Sequence, residues 1–528
     1  MVFKSPHTPV NIPDQSITDY VLRNAESLGD KPALIDGPSG RSYSYAQLPG
    51  LISRLAAGLR SLGLKKGEVF AIYSPNLPEF ALAFHAVATL GAATTMVPPL
   101  FTNDEIIKQL KNSGAKYLLT VPQLADTAQL VARAAGISQL MIIGGAPGFV
   151  SFSSLLAETP LPDPPSIDAA VDCAALPYSS GTTGYPKGVM LTHRNLVAML
   201  RLMEANQAFT RTDTMICVVP MYHLYGLHIV VNLGLSEGAT IVTLPRYDLE
   251  QFLQVLEKYK VTVAPLVPSL VLTLSQAPQV DQHDLSSIRL IHCGAAMLAD
   301  NVAQDCSRRL GCEIRYGYGM TELSPLSHAS LPDATTHRAG SVGFCLPNTE
   351  CKIVDYNDNS ELDANQQGEI WVRGPQVMKG YLGNQKATAE MMITDGWLRT
   401  GDIGYCDDQG RLFVVDRLKE LIKVDGRQVA PAELEAVLFT HPNIADVAVV
   451  ASPDHKHGEV PKAFVVLKQK TNAEEIIDYV AQKVARYKRI RLIEFVDEIP
   501  KSPAGKTLRR VLRDKERRAV QQSGEVSN

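Results

Sequence analysis

The chain has 528 residues, 45% of them hydrophobic, and its 51 Lys and Arg against 55 Asp and Glu give a formal net charge of −4. That length exceeds what one hydrophobic core organises and predicts a large part with at least one smaller one, while charges of both signs scattered along the chain exclude the basic face that a nucleic-acid partner needs. Eight separated cysteines (Cys173, Cys217, Cys293, Cys306, Cys312, Cys345, Cys351 and Cys406) form no Cys-x-x-Cys pair or His/Cys cluster, which argues against a zinc site and a disulfide framework and fits a reducing cytoplasm.

The start, Met1 to His7, lacks the continuous apolar core of a signal peptide, so export is not expected. Apolar residues at spacings of three and four predict helices over Ser16–Ser27 and Tyr45–Leu62, the second stopping at Gly63. Phe80–Leu100 is the most apolar window. Its His85, three threonines, Gly91 and Pro98-Pro99 pair suit a buried helix followed by a strand better than a bilayer span. Runs of β type at Tyr117–Val121, Thr240–Leu244, Val261–Val267 and Leu290–His292 alternate with helical patterns such as Leu249–Tyr259. Strands alternating with helices predict an α/β fold of largely parallel sheets with helices outside.

From about Glu350 the texture changes. Short runs at Cys351–Asp355, Gly368–Val372 and Leu412–Val415, separated by the turn signals Asn357–Asn359 and Asp407–Gly410, predict a smaller antiparallel β-rich part. After Asp416 come a helix (Pro431–Leu438), two strands (Val447–Ala451 and Ala463–Lys468), another helix and a basic tail, the pattern of a compact α+β domain. The expected division is residues 1–416, with the β-rich subdomain at about 350–416, and residues 417–528. The last four residues are not the Ser-Lys-Leu type of peroxisomal address.

Between Tyr178 and Asn195 the sequence concentrates hydroxyls, glycines and one lysine. Gly181, Gly184 and Gly188 let backbone N–H groups approach an anion, Ser179, Ser180, Thr182 and Thr183 add donors, and Lys187 adds a point charge. Lys187 sits between Pro186 and Gly188, so this is not a Walker loop. Three glycines alone would read as a plain turn. The clustered hydroxyls and the lysine make it a phosphate grip.

This stretch resembles the signature loop of the adenylate-forming superfamily, which comprises the acyl-CoA synthetases, carrier-loading adenylation domains and beetle luciferases. The family's further motifs recur in order as Tyr318–Glu322, Gly368–Gly374, Thr400–Asp402, Asp416–Glu420 and Pro503–Lys506, so the resemblance covers nearly the whole chain. It implies a large N-terminal domain of stacked mixed sheets with flanking helices, and a small mobile α+β C-terminal domain that swings about Lys419 between two half-reactions. It also implies ATP, Mg²⁺ and coenzyme A as cofactors, and a small carboxylic acid as substrate. In the first half-reaction a carboxylate oxygen must reach the α-phosphorus although both are anionic, so cations and N–H donors are required before pyrophosphate leaves.

By this resemblance, Ser179, Ser180, Gly181, Thr182, Thr183, Gly184 and Lys187 hold the β- and γ-phosphates. Thr321 contacts the α-phosphate, Glu322 holds Mg²⁺, and Tyr318, between Gly317 and Gly319, packs on adenine. Asp402 accepts from both ribose hydroxyls, Arg417 approaches the same sugar, and Lys506 bridges the carboxylate and the α-phosphate as charge builds. In the second half-reaction a thiol displaces AMP, and Lys423, Gly426 and Gln428 match the turn brought to the site after the swing. That turn is similar to the one in 4-coumarate–CoA ligases, although Asp425 and Arg427 replace the Lys and Phe common in the plant enzymes.

The acyl pocket maps to His223 and Tyr225 in Pro220–Gly226, to His292 and Ala295 in Ile291–Met297, and to Gly317, Pro325 and Leu326. Plant coumarate enzymes often have Lys in place of His292 and Pro in place of Met297, so His292 is either a hydrogen-bond partner for a 4-hydroxyl or the wall of a fatty-acyl tunnel. The leading activity is an ATP-dependent acid–CoA ligase for 4-coumarate or a related hydroxycinnamic acid. The alternatives are a medium- or long-chain fatty acyl-CoA synthetase and an adenylating enzyme with a carrier-protein or luciferase-like acceptor. Each motif also has a plain structural reading: Tyr318–Glu322 as a loop entering a helix with Thr321 as cap, Asp402 in a solvated turn, Arg417–Glu420 as a charged surface turn, and Lys506 in a basic tail. Retention of Lys187, Glu322, Asp402 and Lys506 together speaks against a decayed, non-catalytic relative.

Overall fold

The computed structural model describes residues 1–179, 186–206, 208–296, 298–333, 338–425, 427–454, 456–501 and 507–525. The chain divides into two compact units, one formed by Val2–Cys351 with Val372–Arg399 and the other by Lys352–Trp371 with Thr400–Asn528 and Met1. The β-rich segments on either side of Val372–Arg399 therefore group with the C-terminal segment.

Among the described residues, the larger unit contains two nine-stranded sheets. In the first, Val69–Ile72, Ala93–Met96, Ala115–Thr120, Gln139–Ile142 and Val150–Ser151 run parallel. All four residues of Val69–Ile72 are buried, as expected of a strand covered on both faces. In the second, Pro32–Asp36, Thr240–Thr243, Thr214–Cys217, Val263–Leu266, Leu290–Cys293 and Glu313–Tyr318 are parallel neighbours in that order. Antiparallel strands close both ends: Ser42–Ser44 at one, and His328–Ala329 followed by Phe344–Cys345 at the other. The rhythm read from the sequence, including the helix Pro78–Thr89 followed by the strand Ala93–Met96, is present.

Helix ends follow local chemistry. Asn103–Ser113 begins with a reciprocal capping box between Thr102 and Glu105 and stops at Gly114, whose φ is +67°. Leu249–Lys258 begins where the Asp248 side chain accepts from the Gln251 N–H. The helix expected over Ser16–Ser27 is instead two, Ile17–Leu22 and Ala25–Leu28. It breaks because Asn24 leaves helical geometry (φ −103°, ψ 1°) while its side-chain amide donates to the Ser236 carbonyl, a tertiary bond invisible to periodicity. A second departure is the π-helix Tyr225–Asn232. At its start Gly226 packs so closely that a Cβ there would lie 2.3 Å from the Pro220 carbonyl oxygen.

In the second unit, Ile422–Val424 and Arg427–Val429 form a hairpin, and Ile444–Asp454 pairs with Gly458–Leu467 along most of its length. Leu492–Phe495 adds a parallel edge. Ile422, Leu434, Leu438, Val447, Val449, Val465, Ile476 and Val480 form the core between this sheet and the helices Pro431–Phe439 and Ala473–Ala481. The basic tail is a helix, Arg509–Glu525. Its cations are structurally engaged, Arg509 with Glu435 at 2.5 Å and Arg513 with Glu420 at 2.9 Å.

The buried histidines of the larger unit include His85, His193 and His228. Burial holds their pKa values down to about 4, 4 and 3. A depressed imidazole is neutral in the folded state, whereas the unfolded chain takes up the proton from about pH 6.5 downward. Each histidine therefore contributes stability that is complete above that pH and is lost progressively toward its folded pKa, about 4 for His85 and His193 and about 3 for His228, on the order of 3 kcal/mol apiece. The melting temperature is expected to fall by several degrees between pH 7 and pH 5. A flat profile by differential scanning calorimetry across that interval would contradict this account.

Candidate active site

The hydroxyl-rich loop joins two antiparallel strands, Tyr178–Ser179 and Lys187–Thr192, with Ser179 opposite Lys187 and Tyr178 opposite Gly188. Ser180, Gly181, Thr182, Thr183 and Gly184 lie outside the described residues. At the described ends, the Ser179 hydroxyl donates to Glu322 Oε1 at 2.8 Å, and the Tyr381 hydroxyl donates to the same oxygen at 2.8 Å. Lys187 Nζ stands 4.9 Å from the centre of the Tyr381 ring. Tyr381 reaches this place because Gly380–Tyr381 pairs with the outer part of the loop's second strand, Val189 opposite Tyr381. The Asn195 amide, which also caps the following helix, fixes that segment by donating to the carbonyls of Pro375 and Val377. Tyr381 was not singled out from the sequence. A lone Gly-Tyr pair carries no signal until strand pairing places it.

Glu322 is buried, on a 3₁₀ turn Thr321–Leu323 that follows the strand Glu313–Tyr318. The alternative of Thr321 as a helix cap is not realised. Met320 holds the cap position and makes no side-chain cap bond. Gly319 admits no other residue, because a Cβ there would lie 1.9 Å from the Pro325 carbonyl oxygen and 2.7 Å from Leu326 Cα. Tyr318 pairs with His328, their rings 6.0 Å apart.

Several residues expected of the acyl pocket meet at Gly317. A Cβ on Gly317 would meet His292 Cε1 and Leu326 Cδ2, each at 3.3 Å, so Gly317, His292 and Leu326 are brought together, with Pro325 beside Leu326 in the chain. The Tyr225 hydroxyl donates to the His292 carbonyl at 2.5 Å and also lies 3.3 Å from the Leu266 carbonyl. Its proton is thus committed to the backbone. His292 is buried against Tyr225 and Phe209, and desolvation, reinforced by the Arg315 charge, lowers its pKa to about 4. Its Nε2 has no partner. Ala295 follows at φ +73°, a left-handed turn after the strand Leu290–Cys293. His223 acts locally, its Nδ1 accepting the Tyr225 N–H at 3.2 Å at the start of the π-helix.

The second unit carries the remaining candidates. Asp402 and Arg417 face each other across the antiparallel pair Leu398–Cys406 and Leu412–Arg417, with Arg417 Nε 3.2 Å from Asp402 Oδ1. Asp402 is 6% exposed and lies in a strand, not in the solvated turn of its structural alternative. Lys423 and Gln428 are opposed in the hairpin, the Lys423 N–H anchored by Glu459 at 2.8 Å. Lys419 is exposed. Gly426 and Lys506 lie outside the described residues, Lys506 between Lys501 and Thr507, which pair with each other.

Residues 21–382 match the AMP-binding enzyme family and residues 433–506 its C-terminal domain. The chain belongs to the AMP-binding enzyme family. It is 42% identical to 4-coumarate–CoA ligase 1 of Petroselinum crispum over 97% of its own length and 96% of the relative's. It is 44% identical to 4-coumarate–CoA ligase 5 of Oryza sativa subsp. japonica, with 97% of each chain covered. A crystal structure of an anthranilate CoA ligase in complex with anthranoyl-AMP superposes with a TM-score of 0.89 at 26% identity, covering 97% of this chain and 99% of that one. The o-succinylbenzoate CoA synthetase of Bacillus subtilis, in complex with its acyl-adenylate intermediate, gives 0.81 at 28% identity over 95% and 98%.

In this AMP-binding enzyme, no group of three His, Cys, Asp or Glu side chains able to hold a metal ion is found among the described residues. Glu322 offers a carboxylate whose Oε1 accepts from both Ser179 and Tyr381. That fits Mg²⁺, which commonly takes one or two protein carboxylates and fills its shell with phosphate oxygens and water. No helix among the described residues is long and apolar enough to cross a membrane.

Because two hydroxyls orient one carboxylate, Tyr381→Phe is expected to cost about 1 kcal/mol, a fall of about fivefold in kcat/KM for ATP, with the melting temperature little changed. Steady-state kinetics at varied ATP measures this, and an unchanged value removes Tyr381 from the site.

Proposed function

We propose that this chain is an ATP-dependent acid–CoA ligase acting on 4-coumarate or a related hydroxycinnamic acid. The observation that carries this reading is the convergence of the Ser179 and Tyr381 hydroxyls on the buried Glu322, with Lys187 beside the Tyr381 ring, in a chain 42–44% identical to 4-coumarate–CoA ligases.

The acid binds with its carboxylate toward Thr321 and its ring toward Gly317, His292 and Leu326. The loop Ser179–Lys187 draws the β- and γ-phosphates away from the attacked phosphorus and stabilises departing pyrophosphate. Glu322, set by Ser179 and Tyr381, is the residue that would hold Mg²⁺, which when bound neutralises phosphate charge. Tyr318 packs on adenine, Asp402 accepts from the ribose hydroxyls, and Arg417 beside it orients that carboxylate. Lys506 bridges the acid and the α-phosphate as the acyl adenylate forms.

The small domain, residues 417–528, then turns about Lys419 relative to residues 1–416. This brings the Lys423–Gln428 turn with Gly426 to the site, where the CoA thiol displaces AMP. The protein works in the cytoplasm, a reading supported by eight free thiols.

Release of AMP and pyrophosphate over acetate, octanoate, palmitate, benzoate, cinnamate, 4-coumarate and caffeate, with and without CoA, tests the proposal. A hydroxycinnamate is expected to give the highest rate, rising sharply with CoA. Preference for octanoate overturns the substrate, and indifference to CoA for every acid overturns the ligase. Lys506→Ala is expected to lower adenylate formation by at least a hundredfold while ATP still binds by calorimetry, a loss in the range of removed electrostatic stabilisation. Full adenylation by the variant removes Lys506 from the first half-reaction.

A further inference from the structure

The hairpin of Ile422–Val424 and Arg427–Val429 has two faces. Ile422, Val424 and Val429 belong to the core of the second unit, while Lys423 and Gln428, register partners, share the other face. A two-stranded hairpin with three residues a side has little of its own to fix its tip, so the shape of the turn is decided by what it touches. Asp425 and Arg427, where the turn departs from the plant coumarate enzymes, each have a partner outside the hairpin.

The partner of Asp425 is His457, on the short connection between Ile444–Asp454 and Gly458–Leu467, whose end residues Asp454 and Gly458 are register partners. Asp454 Oδ1 accepts the N–H groups of Lys456 at 2.9 Å and His457 at 2.7 Å, and Gly458 takes φ +77°, so the imidazole is presented from a fixed turn. Its Nδ1 lies 2.9 Å from Asp425 Oδ1. A carboxylate oxygen accepts, so Nδ1 carries the proton, a bond open to neutral and charged imidazole alike. The backbone ties the same two residues, the Asp425 N–H donating to the His457 carbonyl at 3.1 Å. Asp425 itself stands at φ +50°, a left-handed conformation that Asp tolerates better than most side chains. Beside it Val424 is the register partner of Gly458, and the Lys423 N–H donates to Glu459 at 2.8 Å. On the other strand the Arg427 guanidinium lies 5.2 Å from the centre of the Tyr487 ring, and Tyr487 packs against the core.

We propose that His457, through Asp425, is a positioning residue for the CoA half-reaction, with Arg427 on Tyr487 as a second tie, and that together they hold the turn in the shape that presents Lys423 and Gln428 side by side. The inference rests on the assignment of that turn in the acid-ligase reading above. The ties order the hairpin before the thiol arrives, which removes an entropy cost from the step in which AMP leaves. The His457 side chain is 25% exposed and that of Asp425 55%, so each tie changes the rate by a few-fold and not by a catalytic factor. A turn that serves the second step alone also leaves the first step indifferent to its shape.

The test separates the half-reactions on one preparation of each variant, using the acid that the panel above activates best. Adenylation is read as exchange of labelled pyrophosphate into ATP without CoA, and the second step as single-turnover conversion of the preformed acyl adenylate to thioester at saturating CoA. His457→Ala and Arg427→Leu are each expected to slow the second step about threefold, and the two together about tenfold, with adenylation unchanged. Asp425→Asn keeps a residue suited to the left-handed turn; it is expected to slow the wild type but not His457→Ala, the mark of two residues acting through one bond. A second step that either single variant leaves unchanged overturns the role of that tie. Equal loss in both half-reactions, or an Asp425→Asn effect that persists without His457, overturns the positioning role. Lys423→Ala and Gln428→Ala tell the two failures apart. If neither slows the second step, the assignment of the turn fails and the inference with it; if they slow it and His457→Ala does not, only the inference falls.

Discussion

The buried carboxylate of Glu322 ties together the strands of the candidate site in the larger unit. A Glu removed from water must be hydrogen-bonded or neutralised, since an unmatched buried charge costs several kcal/mol. Glu322 meets that requirement with hydroxyls from two distant places, Ser179 at one end of the nucleotide loop and Tyr381 on a short strand. Both partners depend on the same strand, Lys187–Thr192, which pairs with Tyr178–Ser179 on one side and Gly380–Tyr381 on the other. The described ends of the loop, the position of Lys187 beside Tyr381 and the orientation of Glu322 are therefore set together. Both bonds fall on one oxygen, which leaves the carboxylate suited to share a cation with phosphate.

The parallel sheet sets the acyl pocket by a different physical rule. Its strands deliver side chains to one face at fixed intervals, and the ends of the strands are where chain direction changes and ligands are held. Gly317, Leu326 and His292 are brought together there, and Arg315 is the register partner of His292 on the adjacent strand. Tyr225 does not present its hydroxyl as a free donor, because the backbone of His292 takes it. Its role is to fix the imidazole, and the π-helix entered through the closely packed Gly226 holds the ring there.

The second unit shows how charge acts when it is kept rather than removed. Arg509, Glu435 and Asp416 form a buried set in which each carboxylate's pKa is raised by burial and opposed by the guanidinium. Asp416 also accepts the N–H groups of Arg417 and Ala432. Read as sequence, the arginines after Lys506 were a solvated basic tail. Arg509 and Arg513 instead tie the last helix to the segment just after Asp402 and Arg417.

The amino-acid sequence by itself determined the alternation of strands and helices, the change of texture near residue 350, and the motifs that identify the family. Those properties live in local composition and period, which a linear reading captures. Only the tertiary structure decided that Ser16–Ser27 is broken by a bond from Asn24 to Ser236, that Tyr381 belongs with Glu322, and that Arg315 stands beside His292. Each is a contact between segments far apart in the chain, 212 residues for Asn24 and 59 for Tyr381, and sequence spacing carries no information about which strands become neighbours. Pairing between sheet strands, with its two-residue alternation of faces, brought an unremarked tyrosine to Glu322 and an unremarked arginine beside His292.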